Sequence, residues 1–280
     1  MLALALRPAS PMPGWGLAMG VTLFALTLVV VLPIGALLAH GAGLGAGALL
    51  AAWGSERVRA ALWLSFRAAF LAALFNLVFG LLLAWVLARY RFPGRRIVDA
   101  AVDLPFALPT AVAGIALTAL WAPTGLFGGA VTEATGIRVA YTELGIWLAL
   151  AFVGLPFVVR AVEPVIAEIE PEVEEASATL GAGRARTFVR VILPMLVPAL
   201  LTGFALALAR AVGEYGSVIF IAGNLPFRTE IAPLLVVIRL EEFDIGGAVA
   251  VALAMLALSF ALLFAINALQ VWSRRRMGDV

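Results

Sequence analysis

The chain is 280 residues long, 64% hydrophobic and only 13% charged, with a net charge of +2, whereas soluble proteins carry about 25% charged residues. Its composition therefore places it in a lipid bilayer and excludes an ordinary soluble domain. All 19 basic residues are Arg, so the chain cannot build a Walker A nucleotide site, and the absence of Cys with a single His40 excludes thiolate chemistry and a histidine-based metal centre.

Six apolar segments are long enough to cross a hydrocarbon core of about 30 Å, which takes about 20 residues of helix. The first is longer than a signal-peptide core and lacks a small-residue cleavage site, so we interpret it as a retained span. We interpret the glycine-rich run at 41–47 as a flexible loop rather than a dinucleotide-binding turn. The predicted fold class is all-α and integral to the membrane, with six transmembrane helices at residues 16–39, 59–88, 100–122, 143–163, 196–221 and 247–271.

Arginines are unevenly divided between the two ends of these spans. Because cytoplasmic loops are enriched in basic residues, we expect the arginine-rich ends to face the cytoplasm. Both termini are then inside, and this arrangement accounts for the basic character of the chain without a nucleic-acid partner. The arginines follow span 2 (Arg89, Arg91, Arg95, Arg96), span 4 (Arg160, Arg184, Arg186, Arg190) and span 6 (Arg274, Arg275, Arg276).

Four ionisable residues within the spans are candidates for a translocation path. A charged side chain costs about 2.5 to 3.5 kcal/mol at the centre of a membrane helix, so these residues are expected to face protein or water. Arg210 and Glu214 lie four positions apart and can pair, either as a neutral pair at a subunit seam or as an anion gate. From depth alone, Arg67 is expected to pair with Asp103.

Prolines mark the third span as irregular. Because proline lacks the backbone N–H of a regular helix, Pro105 and Pro109 are expected to kink or break this span, and Pro123 to end it. Broken helices are found around transport routes, but a packing kink has the same signature. Both interpretations stay open.

The loop of residues 164–195 has the most informative pattern. Pro171 suits the first turn of a helix, acidic residues follow it, and Gly181 is placed to end the helix in a left-handed conformation. A basic stretch then leads to Pro194 at the start of span 5, which predicts a helix-turn-helix elbow against the membrane surface. The short helix is expected to present one apolar stripe, formed by Val173, Ala176, Ser177 and Leu180.

This loop resembles the EAA motif of importer-type ABC permeases, which reads EAA, three residues, G, nine residues, I, one residue, LP. The chain matches this spacing, with Ser177 in place of the second Ala and Val191 in place of Ile. The resemblance implies a coupling helix that inserts into a groove of a separate ATPase, whose closure switches the permease between two states. The implied ATPase-coupling residues are Glu175, Ala176, Ser177, Gly181, Val191, Leu193 and Pro194.

Further stretches resemble sulfate/thiosulfate permease subunits of the CysT type, namely residues 102–117, 209–230 and 265–270. The resemblance implies the type I ABC importer permease fold in a bacterial inner membrane and no cofactor on this chain, with ATP and Mg on the partner ATPase. Its implied partners are a second permease subunit, a homodimeric ABC ATPase and an extracytoplasmic sulfate-binding protein. Asn224 and Arg228, in the outer turn of residues 223–230, are expected to contact that binding protein, and Gly203, Gly213 and Gly216 to approach the second permease.

Other interpretations stay open at this point. A molybdate or tungstate permease shares the ARAxGE and AGN elements but is typically shorter and lacks the first span. An ion-driven secondary transporter fits the composition but not the loop. In each case we expect an N-terminal tail, first span and outer loop (1–58), a transmembrane domain with the coupling loop (59–271) and a basic cytoplasmic tail (272–280).

Overall fold

The computed structural model describes the backbone of residues 15–277 and the side chains of residues 15–271. Every regular element in this range is a helix, which agrees with the predicted class. The chain divides into two units, one up to Ala51 and one from Ala52 onward. In the second unit the indole N–H of Trp53 donates to the carbonyl of Ala250 (2.7 Å). The N-terminal tail and the end of the basic tail, residues 1–14 and 278–280, lie outside the described range.

The first unit is mainly one long helix, α1 (Trp15–Leu44), which confirms the first predicted span. A π-helical turn occupies Thr27–Val31, because Pro33 lacks the N–H that would bond the carbonyl of residue 29 in a regular helix. Part of the glycine run predicted as a loop is helical: α1 reaches Leu44, Gly45 adopts a φ of +80°, and α2 (Ala46–Gly54) follows.

The second unit contains the remaining helices. Five helices of the described chain, α1 included, are long and apolar enough to cross a membrane, or six if one pair bent by 43° counts as a single span. The helices of this unit are α3 (Glu56–Arg89), α4 (Arg95–Val102), α5 (Leu104–Ala107), α6 (Thr110–Trp121), α7 (Leu126–Thr135), α8 (Glu143–Glu168), α9 (Pro171–Thr179), α10 (Arg184–Val212), α11 (Val218–Ile221), α12 (Ala232–Glu241) and α13 (Ile245–Met277).

Helices α3, α8 and α10 form the core of the second unit, and they approach closely at glycines. A Cβ atom on Gly80 of α3 would lie 2.8 Å from a methyl of Val158, and one on Gly203 of α10 would lie 2.9 Å from the Val158 Cα. Val158 of α8 is fully buried between them. Small residues of this kind let membrane helices pack by van der Waals contact. Gly203 therefore contacts its own chain, rather than a second permease as the sequence led us to expect.

The third predicted span is broken, as its prolines indicate. Helix α4 ends at Val102, the single turn α5 contains Pro105 near its start, and Pro109 forms the N-cap of α6. Helix α6 ends two residues before Pro123 and is followed by α7 at a bend of 43°. The span predicted at 100–122 is therefore broken, which confirms the prediction that Pro105 and Pro109 kink or break it.

The fifth predicted span is displaced along the chain. Helix α10 begins at Arg184 and ends at Val212, whereas the sequence placed it at 196–221. A π-helical turn at Phe188–Ile192 allows α10 to continue through Pro194, just as the turn at Thr27–Val31 allows α1 to continue through Pro33. Residues 213–217 are not helical, and α11 resumes at Val218. Sequence reasoning missed α12, which is too short to span a membrane and packs with α13 against the start of α3.

The break before α6 and the break after α10 lie against each other. A Cβ atom on Gly114 of α6 would lie 2.8 Å from the Ser217 Cα, and one on Gly216 would lie 3.1 Å from the Thr110 Cβ. Gly216, like Gly203, thus contacts its own chain. Irregular backbone at membrane depth is tolerated only where protein or water covers it. Each break is therefore covered by the other, and the two form one unit, which we call the break contact (residues 109–114 and 213–217).

We expect Gly114→Ala to destabilise the protein by about 1 to 3 kcal/mol, because the added methyl overlaps the backbone of Ser217 and the neighbouring helix must move. The measurement is the apparent melting temperature of the purified protein in detergent. Gly213→Ala is the matched control, since a Cβ there meets no atom within 4 Å. Equal melting temperatures for the two variants would contradict the break contact.

Candidate functional site

The predicted short helix of the 164–195 loop is present, and its ends are formed as the sequence indicates. Helix α9 starts at Pro171, and Gly181 lies just beyond its end with a φ of +79°. The N–H of Gly181 donates to the carbonyl of Ala178 (2.9 Å), and the N–H of Ala182 donates to that of Ser177 (3.1 Å). These two bonds form a Schellman cap, whose left-handed residue is usually glycine because it has no Cβ.

One face of α9 is exposed and the other packs on the protein. Glu175, Ala176 and Gly181 are exposed, and Leu180 has 88% of its surface accessible. Val173 is half-buried on the opposite face. The predicted single stripe is therefore divided: its first and third members face the chain itself, while Ala176 and Leu180 face outward. A small exposed apolar surface beside acidic residues is suited to docking on another protein.

Ser177 belongs to the buried face of α9. It is 8% exposed, and its hydroxyl lies 2.9 Å from that of Thr187, which is 7% exposed. Ser177 thus holds α9 against the first turn of α10, and its role in ATPase coupling stays a prediction. Sequence reasoning missed Thr187, because a single threonine ten residues away carries no pattern of its own.

The C-terminal part of the motif, Val191, Leu193 and Pro194, lies within α10, about two turns after its start. Val191 and Leu193 are half-buried, Pro194 is exposed, and Ile192 between them is 2% exposed within the core. These residues anchor the loop to the bundle. Of the residues assigned to ATPase coupling, Glu175 and Ala176 are accessible on α9, Gly181 is accessible just beyond its end, and Pro194 is accessible within α10.

The expected pair of Arg67 and Asp103 is not formed. Arg67 of α3 pairs with Glu143, the first residue of α8. Their side chains are 39% and 52% accessible and border a groove of about 780 Å³ that is otherwise lined mainly by apolar side chains of α3 and α8. Arg67 and Glu143 are the charged residues that line this groove. They lie in the first half of α3 and at the start of α8, toward the other end of these helices from the 164–195 loop.

Asp103 instead joins a cluster around Arg160 of α8. The guanidinium of Arg160 donates to both carboxylate oxygens of Asp103 (2.7 and 2.9 Å) and to Glu163 (2.7 Å), and it pairs with Asp99 at 2.8 Å. A bidentate Arg–carboxylate contact is strong and fixes orientation. Arg160, which the sequence marked only for topology, therefore fastens the α4–α5 connection to α8.

Arg210 and Glu214 form the predicted pair, at 2.5 Å, although Glu214 lies just beyond the end of α10 and not within the helix. Glu214 is 2% exposed, and its other oxygen accepts from the backbone N–H (2.7 Å) and hydroxyl (2.8 Å) of Ser217. The carboxylate thus fixes the turn before α11, which favours a structural role for Glu214. Arg210 keeps 33% of its side chain accessible, so it remains a candidate for the translocation path.

The turn of residues 223–230 lies at the opposite end of the bundle from the 164–195 loop. Arg228 is exposed, whereas Asn224 is half-buried and its amide donates to the carbonyl of Ile219 (3.0 Å). Glu230 is 2% exposed and accepts two bonds from Arg57, at 2.7 and 2.8 Å. Arg228 is therefore available to a partner, while Asn224 shapes the turn.

Known proteins resemble the chain in sequence and in fold. Residues 76–279 match the family model described as binding-protein-dependent transport system inner membrane component. The sulfate transport system permease protein CysT of Salmonella typhimurium is 47% identical over 99% of each chain, and that of Escherichia coli is 47% identical over 95% of this chain and 96% of the other.

Among solved structures, a bacterial ABC transporter involved in import of the polysaccharide alginate aligns with a TM-score of 0.74 at 16% identity, covering 94% of this chain and 96% of that one. The MetNI methionine ABC transporter in an inward-facing conformation aligns with a TM-score of 0.56 at 20% identity, covering 76% and 94%. At this identity the likeness concerns the fold, which is that of type I ABC importer permeases.

We expect Ser177→Ala to destabilise the contact between α9 and α10 by about 1 to 3 kcal/mol, because it leaves the buried Thr187 hydroxyl without its partner. The double variant Ser177→Ala/Thr187→Val removes both hydroxyls and is expected to recover most of this loss. Hydrogen exchange of the 170–190 amides in the purified protein measures the effect. Additive losses in the double variant would contradict the contact.

Proposed function

The chain belongs to the binding-protein-dependent transport system inner membrane component family, and from that premise we propose that it is the permease subunit of an ATP-driven importer for sulfate and thiosulfate. The observation that carries this proposal is the 47% identity over 99% of both chains to a sulfate transport permease. The chain is a transport component and a multi-pass protein of the inner membrane.

The energy for transport comes from a separate ATPase. The chain has no Lys and so no P-loop, whose lysine holds the nucleotide phosphates; ATP and Mg bind to the partner. The exposed face of α9, with Glu175, Ala176 and Gly181, enters a groove of that homodimeric ATPase. Closure of the ATPase dimer then favours one of two permease conformations, because it contacts α9 differently in each.

The arginine distribution supports an orientation with the 164–195 loop and both termini in the cytoplasm. Arg91, Arg95, Arg96, Arg184 and Arg186 are exposed at the end of the bundle that carries the loop. The turn of residues 223–230 then faces outward, where Arg228 is accessible to an extracytoplasmic sulfate-binding protein. A second permease subunit of similar fold completes the pathway.

The substrate charge explains the need for ATP. Carrying a dianion into a negative interior costs about 4.6 kcal/mol per 100 mV, twice the figure of about 2.3 for one charge. Arg67 of α3 and Arg210 of α10 keep part of their side chains accessible, and each is already paired with one carboxylate. A passing anion therefore meets cations whose charge is balanced, which favours brief contact over tight binding.

We expect Gly181→Asp to reduce ATPase copurification and uptake at least about tenfold, which takes only about 1.4 kcal/mol of lost docking free energy. The change adds a carboxylate at the exposed C-terminal end of α9, where negative charge is unfavourable, and a side chain at a φ that disfavours one. Membrane insertion should be unaffected.

Gly183→Asp is the control, since a Cβ there meets no atom within 4 Å and aspartate suits the N-cap position of α10 that Gly183 occupies. Normal uptake by the Gly181→Asp variant would exclude the docking role of this loop.

We expect unlabelled sulfate and thiosulfate, but not molybdate at equal concentration, to suppress uptake of labelled sulfate in cells that carry the complete complex. An ATPase variant without its P-loop lysine should abolish uptake. Preference for molybdate would overturn the substrate and leave the coupling role in place, whereas uptake that survives loss of ATP hydrolysis would indicate an ion-driven transporter.

A further inference from the structure

Arg89, in the last turn of α3, contacts the ends of two other helices. Its guanidinium donates to the carbonyl of Ile169 (3.2 Å), the C-cap residue of α8, and pairs with Glu174 of α9 at 3.1 Å. About a fifth of its side chain, 22%, is accessible. One side chain therefore joins α3, α8 and α9.

The position of Arg89, at the ends of two helices, explains why a cationic side chain is favourable there. The last carbonyl groups of a helix have no partner within it, and the macrodipole places partial negative charge at that end. Arg89 lies at the C-terminal ends of both α3 and α8, so these two partial charges and the Glu174 carboxylate surround one guanidinium. The planar fork of arginine can reach several acceptors at once, which a lysine ammonium does less well.

Aromatic contacts extend the junction to α10. The Arg89 Cζ atom lies 5.5 Å from the ring centre of Trp85, one turn earlier on the same face of α3. Trp85 in turn meets Phe188 edge to face, with ring centres 5.5 Å apart. Phe188 opens the π-helical turn of α10. The end of α3 thus contacts the end of α8, helix α9 and the first part of α10, which follow one another along the 164–195 loop.

Arg89 is distinct from the arginines around it. Arg91, two residues further on, is exposed and forms no ion pair within residues 15–271. Within the same range, Glu174 is the one carboxylate of α9 that pairs with an arginine. The pair of Arg89 and Glu174 is therefore a specific link from the exposed helix to α3, whereas Arg91 has the character of an ordinary arginine at the membrane surface.

We infer that Arg89 is a positioning residue for transport coupling: it binds the ends of α3 and α8 to α9, so that displacement of α9 by the ATPase moves α3 with it. This inference rests on the proposed function and adds the route by which docking at α9 reaches a long helix of the bundle. Helix α3 carries Arg67 and one wall of the groove described above. A shift of α3 therefore changes that groove directly.

The test uses the complete complex of permeases, ATPase and binding protein in lipid vesicles. For each variant, the ATPase activity stimulated by loaded binding protein is divided by the basal activity, and the amount of assembled complex is measured by copurification. Arg89→Gln is expected to lower this ratio about tenfold, as loss of one charge-assisted hydrogen bond would. Arg89→Lys, which keeps the charge but not the fork, should lower it less, and Arg91→Gln should leave it unchanged.

Glu174→Gln tests the same link from the other side and keeps the contact of Arg89 with Ile169. It is expected to lower the ratio by an intermediate amount, and the combination with Arg89→Gln should be no worse than Arg89→Gln alone. If Arg89→Gln prevents assembly of the complex, the inference is tested by the ratios of stimulated to basal ATPase activity measured for Arg89→Lys and Glu174→Gln.

An unchanged ratio in assembled complexes of these variants would overturn the inference and leave the proposed function intact. An equal fall in Arg91→Gln would also overturn it, because the effect would then follow charge at the membrane surface rather than this junction. Failure of the unmodified chain to copurify with an ATPase would contradict the proposed function, and this inference with it.

Discussion

The structure depends on one constraint: in hydrocarbon, every backbone N–H and C=O group needs a partner within the protein. Prolines in α1 and α10 are accommodated by π-helical turns that redirect the bonds without ending the helix. Two of the breaks in the chain, before α6 and after α10, face each other. Gly114 and Gly216 allow this contact because a side chain on either would overlap the other segment. The irregular backbone at these two breaks is therefore covered by protein.

The same constraint determines where charges are found. The four charged residues named as translocation-path candidates are all paired, and their pairs join separate elements or brace a turn: Arg67 with Glu143 between α3 and α8, Arg160 with Asp103 between α8 and the α4–α5 connection, and Arg210 with Glu214. An unpaired charge facing lipid would be costly. These pairs fix the relative positions of the helices at their ends, while glycine contacts such as Gly80 with Val158 fix their spacing along the core.

Sequence reasoning was most accurate where the signal was local. Pro171 and Gly181 define the ends of α9 through the missing N–H and the left-handed conformation, and both are within a few residues of the hydrogen bonds they control. Partners across the bundle were not predictable in the same way. Arg67 lies 76 positions from Glu143, and its partner depends on the relative height of two helices, which hydropathy does not specify. Depth along a span suggested Asp103, but the break at Pro105 and Pro109 places that carboxylate beside Arg160.

The orientation of α9 was the other point that pattern alone did not resolve. A stripe at helical spacing indicates a face but not what it contacts, and here Ser177 packs inward while Ala176 and Leu180 remain outside. A helix held on one side by Arg89, Glu174, Ser177 and Thr187 cannot shift without moving the ends of α3 and α10. A helix of this kind is suited to transmitting a displacement and not to selecting a substrate. The loop therefore supports the proposal of ATP coupling, whereas the proposal of sulfate as the substrate rests on similarity along the rest of the chain.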